Sequence, residues 1–173
     1  MKVAVIGGGA AGFFAAISAA EHHPHASVVL FEQSNKFLAK VAISGGGRCN
    51  VTHDCSSPSA LAQHYPRGGS FLKKSFNHFQ VRDTIAWFES RGVPLKIESD
   101  GRMFPTSDDS SSITTCLHDA AKRAGVALKL RTPVRALEPV DGGWSANGER
   151  FDRVIVATGG SPKRSGLEWL EAL

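Results

Sequence analysis

Gly7, Gly9 and Gly12 stand at the spacing G-x-G-x-x-G, and Glu32 lies 20 residues after the last of them. Each residue type has a chemical use at its position. Gly7 permits a tight turn out of a preceding strand. Gly9 has no side chain, so a pyrophosphate can come close to its backbone. Gly12 lets the following helix lie against the strand, and the helix N-terminus offers free N–H groups and a positive dipole end to phosphate. A carboxylate such as Glu32, at the tip of the next strand, can accept hydrogen bonds from both hydroxyls of a ribose. Gly8, Ala10 and Ala11 fill out the turn, and Gln33 follows the acid. Together they suit the holding of a dinucleotide.

A glycine pattern alone is weak; the elements that must position it decide. Val3, Val5 and Ile6 form a short apolar run before the glycines, as a buried parallel strand should. Residues 10–22 are rich in Ala, Ile and Phe and contain no proline, so they read as a helix whose small face, with Phe14 and Ile17, lies close on a sheet. Pro24 ends it, and residues 28–31 form a second apolar run that Glu32 closes. His22, His23 and His25 surround Pro24. They read as a solvated helix end, where imidazolium suits the C-terminal dipole; no acid or Cys completes a metal-ligand set, and no metal is expected.

Two further glycine clusters follow. Ser44-Gly45-Gly46-Gly47-Arg48-Cys49-Asn50 costs backbone entropy, which a chain tolerates where it bends at positive φ or passes close to a partner. Residue chemistry leaves two readings open: a flexible loop, or a loop round a cofactor with its N–H groups, Arg48 and Asn50 facing oxygens. Residues 151–156 read as another buried strand, ending in Ala157-Thr158-Gly159-Gly160. Ligands of open α/β sheets bind beyond the carboxyl ends of strands, so these residues belong on the same edge as Gly7–Gly12.

Between these clusters, residues 35–41 suggest one helical turn and residues 51–69 look irregular. Residues 70–92 read as two helices, with Phe71, Leu72, Phe76, Phe79, Ile85, Trp87 and Phe88 as core candidates. Residues 94–104 form a hairpin about Asp100-Gly101. A helix over residues 111–124 stops at Gly125. Residues 126–130 read as a strand and residues 134–137 begin another, and with turns at Asp141-Gly142-Gly143 and Asn147-Gly148 they make a small antiparallel meander. Leu167, Leu170 and Leu173 share one face of a final amphipathic helix from Gly166.

The length of 173 residues suffices for one domain with a sizeable core. The formal net charge is +4, and the basic residues read as scattered rather than clustered with aromatics, so no nucleic-acid partner is expected. No stretch reaches the roughly 18 apolar residues of a membrane span, and the N-terminus enters a strand without a basic leader, which argues against secretion or a membrane partner. The 3 cysteines, with no C-x-x-C, suit a reducing cytoplasm.

With these motifs assembled, the chain resembles a family of bacterial NAD(P)/FAD-dependent oxidoreductases (flavoproteins) that includes aminoacetone oxidase-like proteins and reductases linked to bile-acid 7-dehydroxylation. Residues 5–12, Glu32, Lys40, residues 44–50, Gly101-Arg102-Met103-Phe104-Pro105 and residues 157–160 carry the resemblance in the family's order. The resemblance implies a Rossmann-like α/β FAD-binding domain similar to that of glutathione reductase. Gly7, Gly9, Ala11 and Gly12 would hold the pyrophosphate and Glu32 the adenosine ribose. Lys40, Ser44, Gly45, Arg48 and Asn50 would run towards the ribityl chain and flavin, with Gly46 in the same loop. Val134 would meet adenine through its backbone, and Ala157, Thr158, Gly159 and Gly160 would pass near the diphosphate and ribityl. Arg102 is either structural or substrate-facing. Family members are more than twice as long, so the resemblance also implies that residues 1–173 are an incomplete FAD-binding domain, lacking a substrate domain and a C-terminal FAD-binding segment.

The expected function is FAD-dependent oxidoreduction of an unidentified small molecule, with NAD(P)H or oxygen completing the electron path. No His, Asp or Glu stands out as a general base, and no catalytic residue is nominated. Two alternatives remain: a nucleotide-holding fragment without turnover, and a disulfide reductase using Cys49 and Cys55, whose separation is one residue longer than C-x-x-x-x-C.

Overall fold

The computed structural model describes residues 1–160, 166 and 168–170. In chain order the first half runs β1 (Lys2–Ile6), α1 (Ala10–His22), β2 (Ser27–Phe31), α2 (Ala39–Ile43), β3 (Thr52–His53), α3 (Pro58–Gln63), α4 (Gly69–Phe76) and α5 (Val81–Glu89). The second half runs β4 (Leu95–Ile97), β5 (Arg102–Pro105), α6 (Ser110–Arg123), β6 (Ala127–Lys129), β7 (Leu137–Val140), β8 (Gly143–Ala146), β9 (Glu149–Phe151) and β10 (Arg153–Val156). The single domain expected from the sequence divides into two compact units: Met1–Lys40 with Leu117–Leu173, and Val41–Cys116.

The first unit is built on a parallel sheet in the order β10-β1-β2-β6. β1 pairs with β2 from Lys2 opposite Ser27 to Ile6 opposite Phe31, and with β10 from Val3 opposite Arg153 to Ile6 opposite Val156. The apolar runs read from the sequence are thus the sheet's centre: Val3, Ala4, Val5, Ile6 and Leu30 are all buried. On α1, Phe13, Ala16, Ile17 and Ala20 are buried, spaced three and four apart as one helical stripe. Phe13, rather than the expected Phe14, is fully buried, its ring edge-on to Phe37 at 5.4 Å. The unit also carries an antiparallel sheet in the order β7-β8-β9. Ala4, Val29, Phe31, Ala146 and Phe151 form one buried cluster, against which Val134 and Val154 pack.

Two readings of this region are corrected. Residues 134–136 are not strand; the meander begins at Leu137, and Val134 instead turns its side chain into the Ala4–Phe151 cluster. The run at 151–156 is not one buried strand. Phe151 pairs with Trp144 in the antiparallel sheet while Val154 pairs with Ala4 in the parallel one. Asp152 makes the switch: its backbone N–H donates to the Lys2 carbonyl at 2.8 Å and its carboxylate accepts from the Lys2 N–H at 2.6 Å. β10 is an edge strand of the described sheet and Val156 is exposed.

In the second unit the expected hairpin forms with Leu95 opposite Pro105, and β3 adds to it beside β5, a strand that the sequence reading leaves as loop. α3 also replaces part of the segment read as irregular. Its Ser57 N-cap accepts the Ala60 N–H, and Pro58 fits the first helical turn. α4 and α5 bear out the two helices, and α5 opens on a capping box of Gln80 and Asp83. The core reading of their aromatics holds for Phe88, which is buried, but Phe71 and Phe79 are exposed. Phe71 falls on an outward face of α4 that helical periodicity alone could not orient, and Phe79 lies in the turn between the two helices.

α6 spans the boundary of the two units. Ile113, Cys116, Leu117, Ala120 and Ala121 are buried at helical spacing, and Gly125 takes a left-handed φ of 74° beyond its end, as the stop signal requires. Leu167 and Leu173 of the expected final helix lie outside the described residues; Glu168–Leu170 form a 3-10 turn. No helix among the described residues is long and apolar enough to cross a membrane.

Candidate dinucleotide-binding site

The carboxyl ends of β1, β2 and β10 converge in the first unit, and the predicted residues sit there. The order runs β1 to β2 to β6 on one side while β10 lies on the other, so the strand order reverses between β1 and β10, the place at which such sheets bind ligands. Gly7 turns out of β1 with φ 114°, and its N–H donates to the Phe31 carbonyl at 2.8 Å. Its missing side chain is required by more than the turn. A Cβ there would lie 2.4 Å from the Ala157 carbonyl oxygen, so Gly7 lets the exit of β10 cross against it. Gly12 shows the same demand more severely: a Cβ would lie 1.8 Å from the Gly7 carbonyl oxygen. α1 therefore sits on the strand end as the spacing predicts.

Gly9 differs. A Cβ on it would meet nothing within 4 Å. It is the N-cap of α1 in extended conformation, and no side chain caps the helix. No acid stands in the first turn. A helix leaves its first N–H groups without intrahelical acceptors, so the start of α1, with exposed Ala10 and Ala11, presents donors and a positive dipole end to open space. These features fit a phosphate-bearing cofactor.

Glu32 is fixed rather than merely nearby. One carboxylate oxygen accepts the Gly8 N–H at 2.8 Å and the other the Ser34 N–H at 2.7 Å. Partial burial alone would raise its pKa; the backbone donors of Ser34, Gly8 and Gln33 together outweigh this and hold it below the ordinary 4.5. Gly8 is enclosed: a Cβ would strike the Phe37 ring at 2.5 Å and Glu32 Cβ at 2.9 Å. The Leu38 N–H donates to the Gly8 carbonyl at 2.8 Å, and Leu38 holds φ 56° to do so. Ser34, Phe37 and Leu38 are positioning residues the sequence reading missed; the signal available was a serine two residues after the acid, a spacing that favours a local turn. Lys40 lies beside the β10 exit, its Nζ 4.0 Å from where a Gly159 Cβ would stand. Gln33, Thr158, Gly159 and Gly160 are exposed on the segments that leave β2 and β10. The structure thus brings Gly7–Gly12, Glu32, Lys40 and Ala157–Gly159 together, with Val134 anchored in the cluster beneath β1 and β2.

The linkage of Glu32 has a definite sign. A carboxyl whose pKa is lower folded than unfolded contributes stability above its unfolded value and loses it as pH falls through the folded one. We expect Glu32→Gln to flatten the acid decline of thermal stability below about pH 4.5 relative to the native chain. Identical pH profiles in melts followed by circular dichroism would refute the assignment.

The second unit contains the other glycine loop. Ser44–Gly47 form a 3-10 turn, with Gly45, Gly46 and Gly47 all at positive φ. Gly45 is also needed for space, since a Cβ would lie 2.8 Å from the Phe104 ring and 2.9 Å from the Asn50 nitrogen. Gly46 and Gly47 face open space. Ser44 Oγ donates to the Val41 carbonyl at 2.9 Å. Arg48 stacks on Phe104, 4.0 Å from its centroid, and pairs with Glu98 and, at 3.5 Å, Asp108. The Asn50 amide, oriented as its neighbours require, donates to the Thr52 and Met103 carbonyls at 2.9 and 3.2 Å. Through these contacts Arg48 and Asn50 brace the loop. Arg102 pairs with Asp100 at 2.7 Å and lies over the same Phe104 ring. Buried Phe104 is the residue the loop is built on, which explains why Gly101–Pro105 and Ser44–Asn50 go together.

The cysteines are free thiols. Cys49 is buried, and burial pushes its thiol up, a hydrogen bond with Ser44 only partly opposing it. A redox thiol needs the opposite environment, one that favours thiolate. Replacing Cys55 by Ser is expected to leave any flavin reduction by NAD(P)H unchanged in a stopped-flow assay; loss of that reaction would revive the dithiol reading. No group of His, Cys, Asp or Glu among the described residues could hold a metal ion.

Sheet order and element sequence define a Rossmann-type α/β domain. The HI0933-like protein Rossmann domain matches residues 1–165, and the chain belongs to that family. It is 33% identical over 168 residues to the 3-dehydro-bile acid delta(4,6)-reductase of Clostridium scindens, covering 95% of this chain and 40% of that protein. It is 29% identical over 160 residues to the ribosomal RNA dihydrouridine synthase of Escherichia coli, covering 90% and 38%. The chain thus spans about two fifths of the length of these curated relatives. Among solved structures, the 3-ketosteroid-delta4-(5alpha)-dehydrogenase of Rhodococcus jostii shares the fold with a TM-score of 0.62 at 17% identity, over 91% of this chain and 45% of that one. The family is that of the HI0933-like Rossmann domain, and the fold is the Rossmann-like α/β fold of these structures.

Proposed function

We propose that this chain is the FAD-holding segment of a flavin-dependent reductase that saturates a carbon–carbon double bond conjugated to a carbonyl group. The observation that carries FAD binding is the cradle at Gly9: open space, uncapped helix N–H groups, and a carboxylate fixed on Gly8 and Ser34 where a ribose would lie. Gly7–Gly12 would hold the diphosphate, Glu32 the ribose hydroxyls, and Lys40 and Ala157–Gly160 the segment beyond. Val134 would offer backbone to adenine, and Ser44, Gly45 and Gly46 would be the contacts nearest the flavin, supported by Arg48 and Asn50. When bound, FAD supplies the hydride-transfer chemistry, with NAD(P)H as the external donor.

The reaction class rests on two relatives. The names of a delta(4,6)-reductase of a 3-dehydro bile acid and of a dihydrouridine synthase both describe saturation of a C=C bond, in each case one that a carbonyl of the substrate can conjugate with. This chain's part is to bind and orient the cofactor. Substrate contacts belong to further parts of a longer protein, the domain arrangement proposed here, working in a reducing cytoplasm that keeps its 3 cysteines as thiols.

The test is to express the chain within its full reading frame, record the flavin spectrum, and assay NAD(P)H oxidation with a conjugated enone and with uridine-containing RNA. Bound FAD with turnover of either supports the proposal. FAD binding without turnover of any activated alkene would leave a nucleotide-holding module, and absence of FAD at cofactor well above micromolar would refute the reading.

A further inference from the structure

Among the described residues of the first unit, the non-glycine residues with a left-handed backbone are Leu38 at φ 56°, Arg131 at φ 52° and Asn147 at φ 52°. Asn147 is of a type that tolerates this region, and it stands before Gly148 in the turn between β8 and β9. Leu and Arg are not of that type. Backbone of this kind persists only where its surroundings hold it, and it gathers at binding sites.

Leu38 and Arg131 both lie one step behind the Glu32 carboxylate. Gly8 gives its N–H to one carboxylate oxygen, and the Gly8 carbonyl accepts the Leu38 N–H at 2.8 Å. Ser34 gives its N–H to the other oxygen, and the Ser34 carbonyl accepts the Arg131 N–H at 2.9 Å. Each of these two donors to the carboxylate is thus pinned, through its own carbonyl, by a left-handed residue. The chain leaving β6 also holds the main chain of Glu32. The Glu32 N–H donates to the Lys129 carbonyl at 2.8 Å, and its carbonyl accepts the Thr132 N–H at 2.9 Å. Thr132 Oγ1 donates to the Leu130 carbonyl at 2.9 Å and so braces the turn at 130–132 from within.

A carboxylate offers about four lone-pair sites, two on each oxygen. The Gly8 and Ser34 N–H groups occupy one on each. One per oxygen is left, which matches the two O–H donors of a vicinal diol, and a phosphate on either hydroxyl would bring like charge against the carboxylate. We propose that Arg131 is a positioning residue that sets the ribose specificity of this site: its backbone clamp on Ser34, the counterpart of Leu38 on Gly8, holds Glu32 in the arrangement that accepts a free ribose diol. This rests on the reading that the site holds the adenosine end of FAD. Arg131 is exposed, and the clamp uses its N–H and its left-handed φ rather than its guanidinium.

The test is calorimetric titration of the full chain with ADP, the half of FAD that the site would hold, and with 2′-deoxy-ADP, which lacks one hydroxyl of the diol. The native chain should prefer ADP by about 10- to 150-fold, the worth of one hydrogen bond to a charged acceptor. Arg131→Gly keeps the N–H and takes a left-handed φ without strain, so it should keep the native ratio. Arg131→Pro removes the N–H and fixes φ near about −65°, so the ratio should fall towards parity while the affinity for 2′-deoxy-ADP, held through its phosphates, stays native. Arg131→Val keeps the N–H but resists positive φ. It should lower the ratio part of the way, and it carries the test if circular dichroism shows the proline variant unfolded. A native ratio in a folded Arg131→Pro or Arg131→Val variant overturns the proposal, as does equal weakening of both nucleotides, the mark of a merely structural role. A lost ratio in Arg131→Gly also overturns it, by assigning the effect to the guanidinium. A native chain that binds neither nucleotide nor FAD fails together with the flavin reading; one that binds FAD and ADP with a ratio these variants do not move fails this proposal alone.

Discussion

Gly9→Ala is expected to lower FAD affinity by about 10- to 150-fold while leaving the melting temperature nearly unchanged. The backbone at Gly9, φ −87° and ψ −172°, is open to alanine, and the new methyl would meet nothing within 4 Å. Two folding effects oppose each other: alanine is a poorer N-cap than glycine, and it removes unfolded-state freedom worth about 0.4–1 kcal/mol. The methyl does occupy the space over the start of α1, where an anion would reach the N–H groups. A hydrogen bond to a charged group contributes about 1.5–3 kcal/mol, which sets the fold-change. FAD titration by fluorescence quenching, beside a thermal melt, checks both halves. Unchanged affinity would show that phosphate does not pass over Gly9.

Gly12→Ala should behave in the opposite way, losing stability first and cofactor as a result. In an ordinary helix interior this change would stabilise by about 0.8–1 kcal/mol, since alanine is the better helix former. Here the Cβ would lie 1.8 Å from the Gly7 carbonyl oxygen. Relief requires α1 to move off the end of β1 by more than an ångström, against the buried stripe of Phe13, Ala16 and Ile17. Overpacking of this kind costs about 1–3 kcal/mol or more, and each kcal/mol lowers the midpoint by about 2–4 °C for a chain of this size. A melting temperature at or above that of the native chain would show that the helix and strand are not in contact as described. The pair of substitutions separates two glycines one motif treats alike, one kept for ligand access and the other for packing.

The first βαβ unit was legible because each of its demands leaves a local mark: apolar runs for buried parallel strands, alanines for a closely packed helix, glycines where a Cβ has no room. Gly7 and Gly12 can be read that way before any coordinates exist. What closes round them cannot. Ala157 abuts Gly7 from 150 residues away, and Leu38 holds a left-handed backbone to reach Gly8, without the glycine or asparagine that usually marks such a bend. The second loop shows the limit from the other side. Arg48 and Asn50 are of types that contact anions and carbonyls, and both were expected to face a cofactor. Thr52, a partner of Asn50, is local, but Met103, Glu98 and Asp108 come from the far side of α5. Phe71 failed as a core residue for a related reason: periodicity gives the angle between residues on a helix but not which angle points inward. The break at Asp152, where one stretch serves two sheets, is tertiary in origin; the charged Asp152 and Arg153 mark it in the sequence without saying that the pairing changes there.

The pairing of β1 with β10 has a consequence for how the molecule comes into being. Val3 and Arg153 are partners in one ladder, so one flank of β1 waits for nearly the last strand described. During synthesis β1, α1 and β2 can associate as soon as they emerge, since their pairing is local. The other edge of β1, apolar and with its backbone groups unpaired, stays open while the whole of the second unit is translated. Parallel pairings with such long loops form slowly, and an open apolar edge is prone to wrong partners in the interval. The crevice at the end of β1 is thus completed late, and a nascent chain gains its two-sided cradle only when residues 153–160 have come home.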